Sequence, residues 1–145
     1  MNKDLEFLTR VIDEKSAKIL DANDKIWEYA ELAFHETKSA ALLKSILKEE
    51  GFALTEGDAG IGEYDALSSL SQKAADPHKE PLKEGAPGHG CGHCALGTGA
   101  LAAALAVREY LIANKKDGTI IYFGCPAEEG AGSKQFMARA GMFDD

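Results

Sequence analysis

The sequence is short of positive charge. Its 145 residues contain 16 Lys and Arg against 24 Asp and Glu, which gives a formal net charge of −8. Nucleic-acid-binding proteins concentrate positive charge, so this balance argues against a nucleic-acid partner. Apolar residues make up 45% of the chain, which is ordinary for a globular protein and excludes disorder over most of its length. We therefore expect about one folded domain.

Long apolar runs and a disulfide framework are also lacking. The longest nearly apolar stretch, residues 95–107, is too short to cross a bilayer, and nothing at the start resembles a signal peptide. The three cysteines are an odd number, and Cys91 and Cys94 lie close together. This pattern favours a reducing compartment, with thiols kept for chemistry or metal. We expect a cytoplasmic protein with no membrane partner.

The apolar spacing predicts a chain of helices with few strands. Helices are predicted over residues 5–32, 37–51, 95–114 and 133–140. Residues 119–123 are almost wholly apolar β-formers, which is typical of a buried parallel strand, and shorter strands are predicted at 52–55 and 61–67. Most of 57–90 reads as loop. The order helix, strand, helix indicates an α/β layer fold, in which reactive side chains gather beyond the carboxyl ends of the strands.

The first candidate site is Gly88-His89-Gly90-Cys91-Gly92-His93-Cys94. Cys91 and His93 can both ligate metal, and zinc accepts sulfur and nitrogen ligands together. The segment leads into a predicted helix N-terminus, whose partial positive charge is expected to lower the pKa of Cys91. The alternative is a glycine-rich turn with incidental polar residues.

The second candidate is Cys125-Pro126-Ala127-Glu128-Glu129-Gly130, directly after the predicted buried strand. Neighbours in a regular strand point to opposite faces, but Pro126 ends the ladder, so both acids could converge on one site. One carboxylate would then ligate a metal while the other takes a proton from metal-bound water. The alternative is that Glu128 and Glu129 only favour the N-terminus of the last helix.

Two further features need an interpretation. Asp65, in Gly62-Glu63-Tyr64-Asp65-Ala66-Leu67, could orient a metal ligand by hydrogen bonding, or could be an exposed turn acid.

Cys91-Gly92-His93-Cys94 is also a C-x-x-C pair followed by a helix, as in thiol redox proteins. Gly90 stands where that reading predicts an aromatic residue, which argues against it.

The motifs together resemble a known family. The sequence is similar to the zinc amidohydrolases of the aminoacylase and carboxypeptidase-G class, and most of all to the aminobenzoyl-glutamate hydrolase branch. The segments that carry the resemblance occur in the family's order along nearly the whole chain: residues 26–36, 43–52, 62–67, 88–93 and 118–130.

The resemblance implies a site and a reaction. Cys91, His93 and Glu129 would be ligands to one or two divalent ions, zinc or manganese, and Glu128 would be the general base. The substrate would be a small-molecule amide that joins an acyl or aminobenzoyl group to an amino acid. The family also implies that residues 1–145 are the N-terminal part of an incomplete three-layer α/β catalytic domain, with few, mainly parallel strands.

Departures from the family pattern shape the remaining expectations. Cys94 stands where the family has Asn or Asp, and Ser68-Ser69 where it has Pro-Gly. The family's further metal-binding histidines, dimerisation domain and C-terminal catalytic segment have no counterpart here. We therefore expect little hydrolase activity from the chain alone, and a homo-oligomer or a partner that supplies the missing domain. A non-catalytic, oligomerising remnant of the fold is the alternative.

Overall fold

The computed structural model describes residues 2–54 and 62–144, and in these ranges the chain forms five helices. The predicted helices at 37–51 and 95–114 are confirmed to within two residues, and the last predicted helix ends one residue early. A four-residue helix that the sequence did not predict precedes it. The helices are α1 (Lys3–Tyr29), α2 (Thr37–Glu49), α3 (His93–Ala113), α4 (Glu128–Ala131) and α5 (Ser133–Arg139).

Helix α1 has a defined cap at each end. The side chain of Asn2 accepts a hydrogen bond from the backbone N–H of Asp4 at 3.1 Å, which satisfies one of the free donors of the first turn. At the other end Ala30 turns left-handed, with φ of 43°, and its N–H donates to the carbonyl of Ile26. The helix therefore stops at Tyr29, and the prediction that it reaches residue 32 is wrong.

Helix α3 forms the centre of the core. It packs mainly against α1, and α2 also packs against α1 and contributes residues to the same core. Leu101 and Leu105 are almost completely buried. By length and composition alone α3 could cross a membrane. A single helix that passes this test is weak evidence of a membrane span, and nine of its 21 residues are buried within the described part of the protein.

Helix α2 is capped from a distance. The carboxylate of Glu31 accepts hydrogen bonds from the backbone N–H groups of Lys38 and Ser39, at 3.0 and 2.9 Å, and from the hydroxyl of Ser39 at 2.8 Å. Although burial raises the pKa of Glu31, these hydrogen bonds lower it on balance. The carboxylate thus takes the place of a side-chain cap from Glu36, the residue before the helix, which makes no capping hydrogen bond.

Strand pairing within residues 2–54 and 62–144 is limited to isolated bridges. Residues 119–123, which were predicted as a buried strand, do not form a strand, and neither do residues 52–54. Thr55 and Ile61, at the ends of two predicted strands, lie outside the described residues, as does the start of the predicted loop. A ladder needs a paired neighbour, and the described chain supplies one only at single positions. The α/β class therefore stays a prediction. The bridges are Leu32 with Ala66 and Glu63 with Cys125, both parallel, and Leu67 with Gly88, antiparallel.

The loop after Leu67 contains an unusual backbone conformation. Ser69 has φ of 60°, in the left-handed region that favours glycine. Serine here therefore adopts a conformation that costs it about 1 kcal/mol or more. The N–H of Ser71 donates to the carbonyl of Ala86, which closes the loop and returns the chain to the segment that begins at Gly88.

Candidate metal centre

His93 is the buried centre of the site. It is the first residue of α3, directly after Gly92, whose φ of 82° turns the chain into the helix. His93 is 3% exposed. Its Nδ1 lies 2.8 Å from Oδ1 of Asp65. This contact holds the ring in place and directs Nε2 toward the other acids of the site.

Three carboxylates face Nε2 of His93. Oε2 of Glu63 is 3.0 Å away, Oε2 of Glu128 is 3.7 Å away, and Oε1 of Glu129 is 3.9 Å away. Glu128 and Glu129 are neighbours in sequence, but the helical turn of α4 directs both toward the same imidazole. The convergence of two adjacent acids that the sequence suggested is therefore present in the structure.

Two sets of donor atoms share His93. In one set a cysteine sulfur, an imidazole nitrogen and a carboxylate oxygen, from Cys91, His93 and Glu129, lie within 4.8 Å of one another. In the other, atoms of Glu63, His93 and Glu128 meet the same limit. The first set contains the three residues that the family resemblance implies as ligands.

The chemistry of the first set fits a divalent cation. Sulfur, nitrogen and oxygen donors together suit zinc. Oε1 of Glu129 is buried and has no hydrogen-bond partner among the described residues. A buried, unpaired carboxylate oxygen is costly, and a cation is one partner that would satisfy it.

Cys91 departs from one expectation. It is exposed, and its pKa is raised, first by the neighbouring carboxylate of Glu129 and then also by the charges of Glu128 and Glu63. The prediction that the helix N-terminus lowers this pKa is wrong, because the nearby carboxylates outweigh the helix dipole. The same carboxylates would favour a cation beside the sulfur.

Comparison with known proteins places the chain in a family. The sequence profile described as "Peptidase family M20/M25/M40" matches residues 61–145, which is more than half of the chain. The chain belongs to peptidase family M20/M25/M40. It is also 38% identical, over 163 aligned residues, to a subunit of the p-aminobenzoyl-glutamate hydrolase of Escherichia coli strain K12. The alignment covers all of this chain and 34% of that relative, so the chain spans about a third of its length. The family resemblance recognised in the sequence is confirmed.

Asp65 links two parts of the candidate site. It is 1% exposed, so it is not a surface turn acid. Its Oδ1 faces Nδ1 of His93, and its Oδ2 accepts a hydrogen bond from the backbone N–H of Glu129 at 2.9 Å. The carboxylate thus fixes the imidazole ring and the α4 backbone relative to each other. Hydrogen bonding of this kind orients metal ligands.

Glu63 and Lys134 are site residues that sequence reasoning missed. Lys134 of α5 contacts Oε1 of Glu63, while Oε2 of Glu63 faces His93. Although burial lowers the pKa of Lys134, the carboxylate of Glu63 raises it on balance. The ammonium therefore stays charged and offsets part of the negative charge in the site. The pairing spans separate segments, and no local pattern in the sequence indicates it.

Glu36 is a third residue that the sequence did not assign to the site. Its carboxylate is buried and accepts a hydrogen bond from the backbone N–H of Ala127, next to Glu128, at 2.6 Å. Burial raises its pKa on balance. One signal was available: Glu36 immediately precedes α2, at a position where Ser, Thr, Asp and Asn are the usual caps and Glu is not.

Cys94 lies away from the donor atoms. It is 5% exposed and belongs to the core cluster formed by α1, α2 and α3. Burial raises its pKa. Thiol redox sites need an accessible cysteine of lowered pKa. The raised pKa values of Cys91 and Cys94 do not favour the C-x-x-C interpretation, which stays a prediction, and Cys94 contributes to the packing of α3.

Proposed function

We propose that this chain supplies the metal-binding and proton-transfer residues of a metal-dependent hydrolase acting on the amide bond of an N-acyl or aminobenzoyl amino acid. The observation that carries the proposal is the meeting of the donor atoms of Cys91, His93 and Glu129 beside Glu128. Membership of the M20/M25/M40 peptidase family supports hydrolysis of an amide. The name of the Escherichia coli relative supports an aminobenzoyl amino acid as substrate.

The residues divide into a holding group and a transferring group. Cys91, His93 and Glu129 would hold zinc or manganese, as one ion or as one of two. When bound, such an ion lowers the pKa of a water molecule and polarises the carbonyl of the substrate. Asp65 would orient the ring of His93 through Nδ1, with Nε2 directed toward the other acids of the site.

Glu128 is the residue placed to move a proton. Its side chain is 40% exposed, against 20% for Glu129, so Glu128 reaches the solvent side of the site while Glu129 faces inward. A carboxylate there can take a proton from the attacking water and deliver it to the leaving nitrogen. This difference in exposure supports Glu128 as the general base and Glu129 as the ligand.

Metal content and product release test the proposal. The purified chain is dialysed against zinc or manganese, its metal content is measured, and it is incubated with p-aminobenzoyl-glutamate while aminobenzoate is followed by chromatography. We expect bound metal in the wild type and in Glu128→Gln, loss of metal in His93→Ala, and slow aminobenzoate release by the wild type only. Wild-type protein without metal would reject the site. Equal release by Glu128→Gln would reject the assigned base.

A second candidate function rests on the exposed apolar surface. Leu96, Ile121 and Phe136 are 54%, 65% and 63% exposed. Such side chains favour association with another copy or another domain. A non-catalytic, oligomerising protein would bury them without turning over any amide. Light scattering that shows a stable monomer would contradict this candidate, whereas an oligomer without metal would favour it over the hydrolase.

A further inference from the structure

Glu36 occupies a helix-capping position without acting as a cap. It stands immediately before α2, but its side chain makes no capping hydrogen bond to that helix. The carboxylate of Glu31 already serves the first turn of α2, at the N–H groups of Lys38 and Ser39. The side chain of Glu36 is therefore free to make a contact elsewhere.

That contact is with Ala127, 91 residues further along the chain. Oε1 of Glu36 accepts the backbone N–H of Ala127 at 2.6 Å, and both residues are buried, at 5% and 0% exposed. No ion pair of Glu36 occurs within residues 2–54 and 62–144. Burying a carboxylate without a cation lowers stability unless hydrogen bonds compensate. A hydrophobic residue would stabilise the core better, so the carboxylate indicates a geometric role.

Ala127 has a backbone conformation that needs support. Its φ of 56° and ψ of 42° lie in the left-handed region, which costs a residue with a Cβ about 1–2 kcal/mol. This turn ends the segment after Pro126 and begins α4, so it sets the direction in which Glu128 and Glu129 leave the backbone. Strained backbone of this kind persists only where the surrounding structure holds it.

We infer that Glu36 is a positioning residue, which holds Ala127 in its left-handed turn and thereby places Glu128 and Glu129 at His93. Asp65 accepts a second N–H of the same short segment, that of Glu129. Two buried carboxylates thus fix the start of α4 at the N–H groups of Ala127 and Glu129. The geometric part of the inference concerns the apoprotein, while its consequence for metal binding rests on the proposed function.

Cobalt(II) binding tests the consequence. Cobalt(II) replaces zinc as a probe, and its thiolate and ligand-field absorption bands report both affinity and geometry. In Glu36→Ala we expect the affinity for cobalt to fall about 10- to 100-fold, as when other groups that orient ligands are removed. Glu36→Gln keeps an oxygen acceptor for the Ala127 N–H, so it should retain most of the affinity and the wild-type band shape.

A control and a rescue separate positioning from general stability. Glu31→Ala removes the carboxylate that accepts hydrogen bonds from the first turn of α2. Among the described residues the Glu31 side chain makes no hydrogen bond to α4, so this variant should lower stability and leave the cobalt spectrum unchanged. Glycine adopts the left-handed conformation without a Cβ penalty. The double variant Glu36→Ala with Ala127→Gly should therefore regain part of the affinity that Glu36→Ala loses.

Amide hydrogen exchange tests the geometry without metal. In the apoprotein, Glu36→Ala should speed exchange of the Ala127 and Glu129 N–H groups while the amides of α2 and α3 keep their protection. Unchanged exchange at both amides would overturn the inference, as would wild-type cobalt affinity in Glu36→Ala. If the wild type binds no cobalt, the proposed function fails, and the exchange data still decide whether Glu36 holds the turn.

Discussion

Oδ1 of Asp65 lies 2.8 Å from Nδ1 of His93, and Oδ2 of the same carboxylate accepts the N–H of Glu129 at 2.9 Å. An amide in place of the carboxylate has only one acceptor atom for these two donors. We expect Asp65→Asn to leave one of them unpaired and to lower zinc affinity about 10- to 100-fold. Titration calorimetry with zinc measures the change.

Asp76, in the loop after Leu67, offers a control for this substitution. Its carboxylate accepts a hydrogen bond from the backbone N–H of His78 and contacts the ring of His78. It has no hydrogen bond to the metal centre among the described residues, so Asp76→Asn should not change zinc affinity. If Asp65→Asn and Asp76→Asn bind zinc equally well, Asp65 does not orient the site.

Two glycines of α3 offer a matched test of close packing. A Cβ at Gly97 would lie 2.6 Å from the backbone carbonyl oxygen of Glu63, whereas a Cβ at Gly99 would meet nothing within 4 Å. We expect Gly97→Ala to lower the free energy of unfolding by about 1–3 kcal/mol, since backbone must move to admit the methyl group. Gly99→Ala should raise it by up to about 1 kcal/mol through helix propensity. Urea unfolding of both variants decides the point, and equal stabilities would show that α3 does not pack this closely on the segment with Glu63.

Local signals explain which parts of the molecule could be predicted. Apolar spacing and the terminating Gly51 define α2, and the glycine-rich segment before His93 marks the start of α3. Two short motifs supplied the candidate residues, Cys91 with His93 and Glu128 with Glu129, while the ligand set of Cys91, His93 and Glu129 is what the family resemblance implied. These features depend on neighbours in sequence, so they are visible in the sequence alone.

The remaining features depend on contacts between distant segments. The end of α1, by contrast, lies at a local left-handed turn at Ala30, where no glycine indicates the end of the helix. The contact of Glu36 with Ala127 and that of Lys134 with Glu63 join segments 91 and 71 residues apart. The predicted strand at 119–123 requires neighbours that its own composition cannot specify.

Thiol accessibility distinguishes the metal site from a redox site. Cys91 is exposed, whereas Cys94 and Cys125 are buried. We therefore expect one fast-reacting thiol in the native protein and three after unfolding, measured with a chromogenic disulfide reagent. Bound zinc should protect the fast thiol, because a coordinated sulfur is a poorer nucleophile toward the reagent. Zinc-insensitive labelling would exclude Cys91 as a ligand. Rapid formation of a Cys91–Cys94 disulfide under mild oxidation would instead support redox function.

Acid should weaken the cap of α2 through Glu31. Hydrogen bonds from the start of α2 hold the pKa of Glu31 below its ordinary value of 4.5, against the opposing effect of burial. The folded state therefore favours the charged form, so this stabilisation is complete above pH 4.5 and is lost as the pH falls through the lowered pKa. In Glu31→Gln we expect the free energy of unfolding at pH 7 to fall by about 0.5–2 kcal/mol, the usual range for a lost N-cap. At low pH wild type and variant should converge, since protonated Glu31 offers much the same hydrogen bonding as the amide.

Urea unfolding at pH 7 and pH 3 measures both differences, with Glu28→Gln on the exposed side of α1 as the control. A stability difference that stays constant between the two pH values would show that the charge of Glu31 does not contribute to the cap.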